Sequence, residues 1–572
     1  MSNNTKTKRP FNWKALVAVL VVVVLLVTIW VLSLWYSKWN FNDGTNFFIK
    51  RILVDNFLGV NAVLIGLLIL VGYLILGRGV TDSLVGMLKG MIGVLILSIG
   101  AGTLVKIAKP IFNSFKSFGT LTPLDPYLGW TSANNFLGQY VSWVSYALII
   151  GLFVNILLIV LRKWTNVHSL MVTGHVMFQQ AAMVVAVVAL LMFAVDPTQS
   201  VGAGLSSGVI IVSGILLGTY WGVASTATIK GSDVVTQGAG FAVGHQQMFG
   251  VSLAYGIGKF FGKKEDSAET KKLSNKIKIF EDNIFTQSLI ILVVFLILVL
   301  ILQFAGPDAV KFANLKTGKV NLTVYSDWNA AGKEAFWVTN LVLTSLKLVG
   351  SILVLQMGVR MFVTELQQSF QGISEKLVPG AVVAVDVAAT YGFSPNSVTY
   401  GFISGTIGQF IAVALTIGLY FATKGHSFEY VMVIPLFITL FFNSGSIGVF
   451  ANASGGFKAS IIVPALFGFV EILVVSLGLS VMKYSQAAYP FSTGYIGMFD
   501  WNVAFGSIIT LSSWSKIAAY IVFPAYIVLM LVLAQIVDSN RQSKPTFMQK
   551  AFNIKPNLEF AKAEAEFAKA NA

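Results

Sequence analysis

Cysteine is absent from the chain, and charged residues make up only 11% of its 572 positions. The first absence excludes disulfides and thiolate metal sites. The second excludes an ordinary soluble domain, which devotes around a quarter of its residues to charge. Only four histidines occur, His168, His175, His245 and His426, which leaves few options for metal chemistry. There is no glycine-rich loop followed by Lys-Ser/Thr, no nucleophile elbow, no paired-histidine metal motif and no potassium-filter signature. No catalytic residue, metal or cofactor is therefore expected on this chain.

What is present is apolar. Hydrophobic residues make up 56% of the chain, and the mean hydropathy is +0.77. Continuous runs of about 20 apolar residues, long enough to span a bilayer, recur from end to end. They do not alternate, so a closed β-barrel is excluded. The pattern predicts an all-α polytopic membrane protein in the cell membrane, with about 11–12 spans. The net charge of +15 belongs mainly to lysines and arginines between the runs, where they set topology by the positive-inside rule. No nucleic-acid motif accompanies them, and no nucleic-acid partner is expected.

Along the chain, Ala15 to Ser33 is predicted as an uncleaved membrane anchor within residues 1–40. Residues 41–537 form the main membrane domain, and 538–572 a cytoplasmic tail with an amphipathic stretch at Pro556 to Ala572. Prolines 123 and 126 make the 117–139 loop irregular. The span from Val201 is expected to end near Thr219. Glycine-broken sequence at Gly231–Gly258, a short apolar piece at Leu377–Tyr391, and Val431–Asn452 are expected as broken or re-entrant elements sheltered by protein. Lys259–Lys278 is expected as a charged cytoplasmic loop, with a docking surface for a cytoplasmic partner as the alternative, and Gly306–Lys333 as an exterior polar loop. Ser98–Val105 aligns with Gln356–Val363, and the match continues to Phe112 over Phe370, a hint of internal duplication.

Polar residues inside apolar runs are costly unless they find partners or face water, and so mark candidate sites. Thr173-Gly-His-Val-Met-Phe-Gln-Gln180 puts His175 and Gln179 on one helical face with Gln180 beside them. A partial echo follows at Val243-Gly-His-Gln-Gln-Met-Phe249. Imidazole and amide groups together suit a small polyhydroxylated ligand, although polar glue between packed helices uses the same groups. Asp386, alone among small apolar residues, must be protonated, paired or facing water; Arg360 and Glu365 are the nearest charged candidates in sequence. Asn443, Ser444, Ser446 and Asn452 either expose backbone amides to an anion or make a tight packing turn. His168 and His426 fall near span ends and are read as interfacial.

Several of these segments, in this order, resemble one family. They are Thr173–Gln180, Gly240-Phe-Ala-Val-Gly-His-Gln-Gln247, Gly262-Lys-Lys-Glu-Asp266, Gly358–Val363, Gly372–Ala381 and Phe442–Asn452. The family is the ascorbate-specific IIC permease of the bacterial phosphoenolpyruvate-dependent sugar phosphotransferase system, within the ascorbate/galactitol IIC superfamily. The resemblance runs from about Asn46 to Val537. It implies a homodimer of inverted repeats, with a core domain beside a V-shaped domain, and residues 41–537 as the permease domain. It also implies transport of L-ascorbate coupled to its phosphorylation by cytoplasmic IIB, charged through IIA. The phosphoryl-carrying residues would belong to those partners. Carried over residue by residue, it marks His175, Gln179, His245, Gln246 and Asp386 as substrate-binding, with Tyr127 and Thr103 in more divergent surroundings. The anchor before Asn40 and the 117–139 and 305–335 loops depart from the family pattern. Other readings of the same residues are a proton-coupled secondary transporter using Asp386, a related sugar or pentitol IIC permease, and a non-transporting membrane receptor.

Overall fold

In hydrocarbon every backbone N–H and C=O must be satisfied within the protein, so apolar runs form helices. The computed structural model describes residues 13–48, 51–52, 60–118, 121–271, 282–377, 380–485, 494–559, 562 and 566. The helices, in order, are α1 (Trp13–Tyr36), α2 (Phe41–Asn46), α3 (Asn61–Leu76), α4 (Val80–Ser114), α5 (Pro126–Leu137), α6 (Ser142–Val160), α7 (Arg162–Thr165), α8 (Gly174–Leu191), α9 (Ala203–Val235) and α10 (Met248–Gly258). They continue with α11 (Asn283–Ala305), α12 (Trp337–Leu377), α13 (Pro395–Thr423), α14 (Ser444–Ser485), α15 (Gly506–Ser512), α16 (Lys516–Ile536) and α17 (Phe547–Ala551). Among the described residues, nine helical segments are long and apolar enough to cross a membrane. Val27–Tyr36, Ile65–Leu76 and Met248–Gly258 are shorter apolar helices. The chain is an all-α polytopic membrane protein.

It divides into two compact units. The first comprises residues 1–95 and 360–379. In it the Tyr73 hydroxyl lies 2.5 Å from Glu365 Oε2, and Lys89 Nζ lies 3.7 Å from Glu365 Oε1. The Arg78 guanidinium covers the Tyr73 ring at 4.1 Å and donates to Gln368. Glu365 is thus engaged with Tyr73 and Lys89; the side chain of Arg360 lies outside the described residues.

The second unit, residues 96–359 and 380–572, holds short parallel strands among its helices. Strands β1 (Leu121–Leu124), β2 (Ser169–Met171), β3 (Ala242–Val243), β6 (Val382–Val385) and β7 (Met432–Pro435) are followed closely by polar or broken helical segments; β4 (Ala313–Asn314) and β5 (Lys319–Val320) form a hairpin. One sheet has the order β2-β6-β3, with Met171 opposite Ala384 and Val243 opposite Val385. In the other, β1 pairs with β7, Pro123 opposite Ile434, and Leu124 bridges in parallel to Tyr495. Each centre strand therefore comes from one half of the chain and its neighbours from the other. Each centre strand also ends in an aspartate that caps the turn after it. Asp125 Oδ1 accepts from the Tyr127 and Leu128 N–H groups, and Asp386 Oδ1 from the Ala388 N–H. The strands follow the long helices α4 and α12, which carry the two segments aligned in the sequence. The duplication hinted at by eight residues is expressed in the strand order.

Three sequence expectations change here. The helix after Val201 does not end near Thr219: α9 continues to Val235 and carries Lys230 and Asp233, which pair with Asp538 and Arg541. Partnered charges can ride on a continuous helix, so their appearance did not mark its end. His168 is buried, not interfacial, with Nε2 3.1 Å from Asn166 Oδ1. The Gly306–Lys333 loop is packed down, since the Trp328 indole donates to the Ile107 carbonyl at 2.9 Å. The amphipathic stretch at Pro556–Ala572 lies mostly outside the described residues.

Helices α13 and α14 meet backbone to backbone through Gly401 and Gly448. A Cβ on Gly448 would stand 2.6 Å from the Ser397 carbonyl oxygen and 2.8 Å from Gly401 Cα. Small residues allow such approach between membrane helices, and overpacking costs roughly 1–3 kcal/mol. Gly448→Val is expected to lower the melting temperature of the solubilised protein. Gly418→Val, at a glycine with nothing within 4 Å of its added Cβ, is expected to leave it unchanged. Equal melting curves for the two variants would refute the close-contact argument.

Candidate functional site

The His-Gln segments and Asp386 converge because the β2-β6-β3 sheet ends there. His175 opens α8 four residues beyond Met171, His245 follows β3 by two residues, and Asp386 follows β6 directly. His175 Nε2 lies 3.2 Å from Asp386 Oδ2. The partner missing from the sequence near Asp386 is this histidine. The aspartate side chain keeps 26% of its accessible surface, so it is paired but still reachable.

The glutamines form a chain of amide bonds with a defined direction. The Trp221 indole on α9 donates to Gln180 Oε1 at 2.7 Å. Gln180 Nε2 donates to the His245 carbonyl at 3.2 Å and to Gln246 Oε1 at 3.0 Å. Gln246 Nε2 in turn donates to Gln179 Oε1 at 2.7 Å. Indole can only donate and a carbonyl can only accept, so these two neighbours fix which way Gln180 points, and each later amide follows. The chain delivers the Gln179 NH2 group, a donor, at its far end. Tyr127 lies against Gln179 and within electrostatic range of Asp386. Among the described residues the buried Nδ1 of His245 has no hydrogen-bond partner, the property expected of a group that awaits a ligand.

Of the residues singled out in the sequence, His175, Gln179, His245, Gln246, Asp386 and Tyr127 are brought together. Thr103 is not: it sits on α4 with its hydroxyl bonded to the Ile99 carbonyl of its own helix at 3.0 Å, and no hydrogen bond among the described residues links it to the cluster. The polar run from Asn443 to Asn452 is not an anion cradle. It runs from a π-helical turn (Thr439–Asn443) into the first part of α14, ahead of the kink at Gly456, and its side chains are used internally. Asn443 donates to Glu471 at 2.5 Å, Ser444 accepts from Gln409, Ser446 donates to the Phe442 carbonyl, and Asn452 accepts the Ala268 N–H. Glycines there serve helix contact, and the expected break is present as strand β7, the π-helical turn and the non-helical Gly456 that kinks α14. Trp221 and Tyr391 escaped the sequence reading. Tyr391 stacks on Phe442 and lies within range of Asp386; its place five residues after Asp386 was the available signal.

The duplicated topology offers two such places, but only one is polar. With Asp125 taken as the counterpart of Asp386, the strand registers align Ile438 with His175 and Phe442 with Gln179. They likewise align Gly497 with His245 and Met498 with Gln246. Asp125 is 2% exposed and has apolar neighbours including Leu104, Ile291 and Phe437. One half carries the hydrogen-bonding set and the other fills the equivalent space with hydrocarbon.

The family model for the permease component of the PTS sugar-specific systems, EIIC-GAT, matches residues 56–506. The chain belongs to the EIIC-GAT permease family. It is similar to a protein of Mycoplasma pneumoniae named "Ascorbate-specific PTS system EIIC component". The two are 40% identical over 653 aligned positions, covering 97% of this chain and 98% of that relative. This permease is accordingly a transport component of the membrane and not itself an enzyme; phosphoryl transfer belongs to other components of such systems. The amide chain and the His175–Asp386 pair both lie within the matched residues.

Proposed function

We propose that this permease binds L-ascorbate at the His-Gln-Asp cluster and moves it across the cell membrane, coupled to its phosphorylation by a cytoplasmic IIB protein charged through IIA. The observation that carries the reading is the directed amide chain ending in the Gln179 NH2 group beside the His175–Asp386 pair. Ascorbate is an anion at neutral pH with several hydroxyls, and it needs donors for its oxyanion and an acceptor for a hydroxyl. In this reading Gln179, His245 and Tyr127 meet the oxygens, and Asp386, oriented by His175, accepts from a hydroxyl. The name of the Mycoplasma relative supports the substrate. The family resemblance supports a homodimer. Exposed Ile407, Ile411 and Leu415 on α13, at helical spacing, suit contact with lipid.

The test is uptake of labelled ascorbate into membrane vesicles that hold the permease, with and without IIA, IIB and phosphoenolpyruvate. Accumulation as a phosphorylated product, only when all are present, is expected. Accumulation of unmodified ascorbate driven by a pH gradient without them would overturn the reading in favour of proton-coupled transport.

A further inference from the structure

The His245-Gln246 segment must be held in place by something, and its own helix does not do so. Gln247 is the N-cap residue of α10 but makes no side-chain cap. Its amide is turned away to the Phe442 and Asn443 carbonyls and the Ser446 hydroxyl. The first turn of α10 would be left with orphan N–H groups. Asp500, far along the chain in a π-helical turn (Asp500–Phe505), supplies the missing acceptors. Its Oδ1 accepts from the Gly250 N–H at 2.7 Å, and its Oδ2 from the Phe249 N–H at 2.9 Å. The Tyr220 hydroxyl on α9 donates to Oδ2 at 2.5 Å. The carboxylate is fully buried, and charge-assisted bonds in such a place are strong and geometrically exacting.

The segment that carries Asp500 also reaches the other side of the cluster. The Tyr495 N–H donates to the Pro123 carbonyl at 3.0 Å, and the Tyr495 carbonyl accepts the Asp125 N–H at 2.9 Å, just before Tyr127. One short stretch thus ties the strand that presents Tyr127 to the helix that follows Gln246.

We propose that Asp500 is a positioning residue for substrate binding: it caps α10 from across the fold and thereby sets the place of His245 and Gln246. It touches no substrate. Its effect passes through the segment ahead of α10, and the inference rests on the substrate-site reading above.

The test measures KM and maximal rate for labelled ascorbate uptake by the full-length permease in vesicles charged with IIA, IIB and phosphoenolpyruvate. The variants are Asp500→Asn, Tyr220→Phe, Gln246→Ala and the two doubles with Gln246→Ala, each normalised to folded protein. Asp500→Asn puts an NH2 group against backbone N–H donors and is expected to raise KM about tenfold. Tyr220→Phe removes one bond and leaves the cap; about threefold is expected. In the Gln246→Ala background both changes are expected to shrink clearly, because one of the two groups they position is gone. If Gln246→Ala leaves KM unchanged, the substrate-site reading fails and this inference falls with it. If Gln246→Ala raises KM but the Asp500 and Tyr220 effects multiply on top of it in full, the inference is overturned and the site reading stands. Should Asp500→Asn fail to fold, Tyr220→Phe decides alone, and an unchanged KM there overturns the inference.

Discussion

Asp386→Asn is expected to cut phosphorylation-coupled ascorbate uptake by at least about a hundredfold while leaving the protein folded. Asparagine matches aspartate in size, and its oxygen can still accept the Ala388 N–H that caps the following turn, now at 2.9 Å. What it cannot do is hold a negative charge opposite the imidazole of His175, 3.2 Å away. Losing the hydrogen bond between the carboxylate and the imidazole costs about 1.5–3 kcal/mol. Asp386 is not fully enclosed, so the lower end applies, and each 1.4 kcal/mol is about tenfold. The proposed acceptor for a substrate hydroxyl is lost in the same change, a second loss of about tenfold that brings the total to about a hundredfold. Uptake at the wild-type rate, at equal protein in the membrane, would refute the role. The sequence near Asp386 offered Arg360 and Glu365 as partners; an effect of Glu365→Gln on uptake as large as that of Asp386→Asn would favour that reading over the pair with His175.

Gln179→Glu is expected to weaken ascorbate binding further than Gln179→Ala does. The reason is the direction of the amide chain. Gln246 donates to Gln179 Oε1, so the group that Gln179 turns to the site is its NH2. Glutamate keeps an oxygen for Gln246 but presents a second oxygen where a donor stood, and that oxygen repels an anion. Losing one hydrogen bond to a charged ligand costs about 1.5–3 kcal/mol, or at least about tenfold for the alanine variant. Reversing the polarity adds repulsion, and at least about a hundredfold is expected for glutamate. Calorimetry with ascorbate on the solubilised protein measures both. Equal affinity for Gln179→Ala and wild type would return Gln179 to the structural groups, and tighter binding by the glutamate variant would reverse the chain's assigned direction.

Much of the candidate site could be read from residue type against background. His175, Gln179, His245, Gln246 and Asp386 stood out because each is costly in an apolar run, and that cost is a local property. The shared His-Gln pattern suggested that the two segments belong together, and the family resemblance marked all five residues as one site. Conversely, the same criterion misled at Asn443, Ser446 and Asn452, whose costs are met by Glu471, Phe442 and Ala268. Thr103 carried no local signal of its own, and its hydroxyl bonds within its own helix. Trp221 was passed over because a tryptophan in an apolar helix looks like packing; its donor role shows only beside Gln180.

By itself the sequence determined the class of molecule, its membrane setting, its lack of thiol chemistry and the polar residues it can ill afford to leave unpartnered. These follow from composition and from periodicity along one segment. Tertiary structure alone decided that Asp386 pairs with His175, that the amide chain runs from Trp221 to Gln179, and that Asp500 caps a helix half the chain away. Those are bonds between segments brought together by strands of one half inserted between strands of the other. A linear pattern records the cost of a buried polar group but not the partner that meets it, because the partner is chosen by strand order and register.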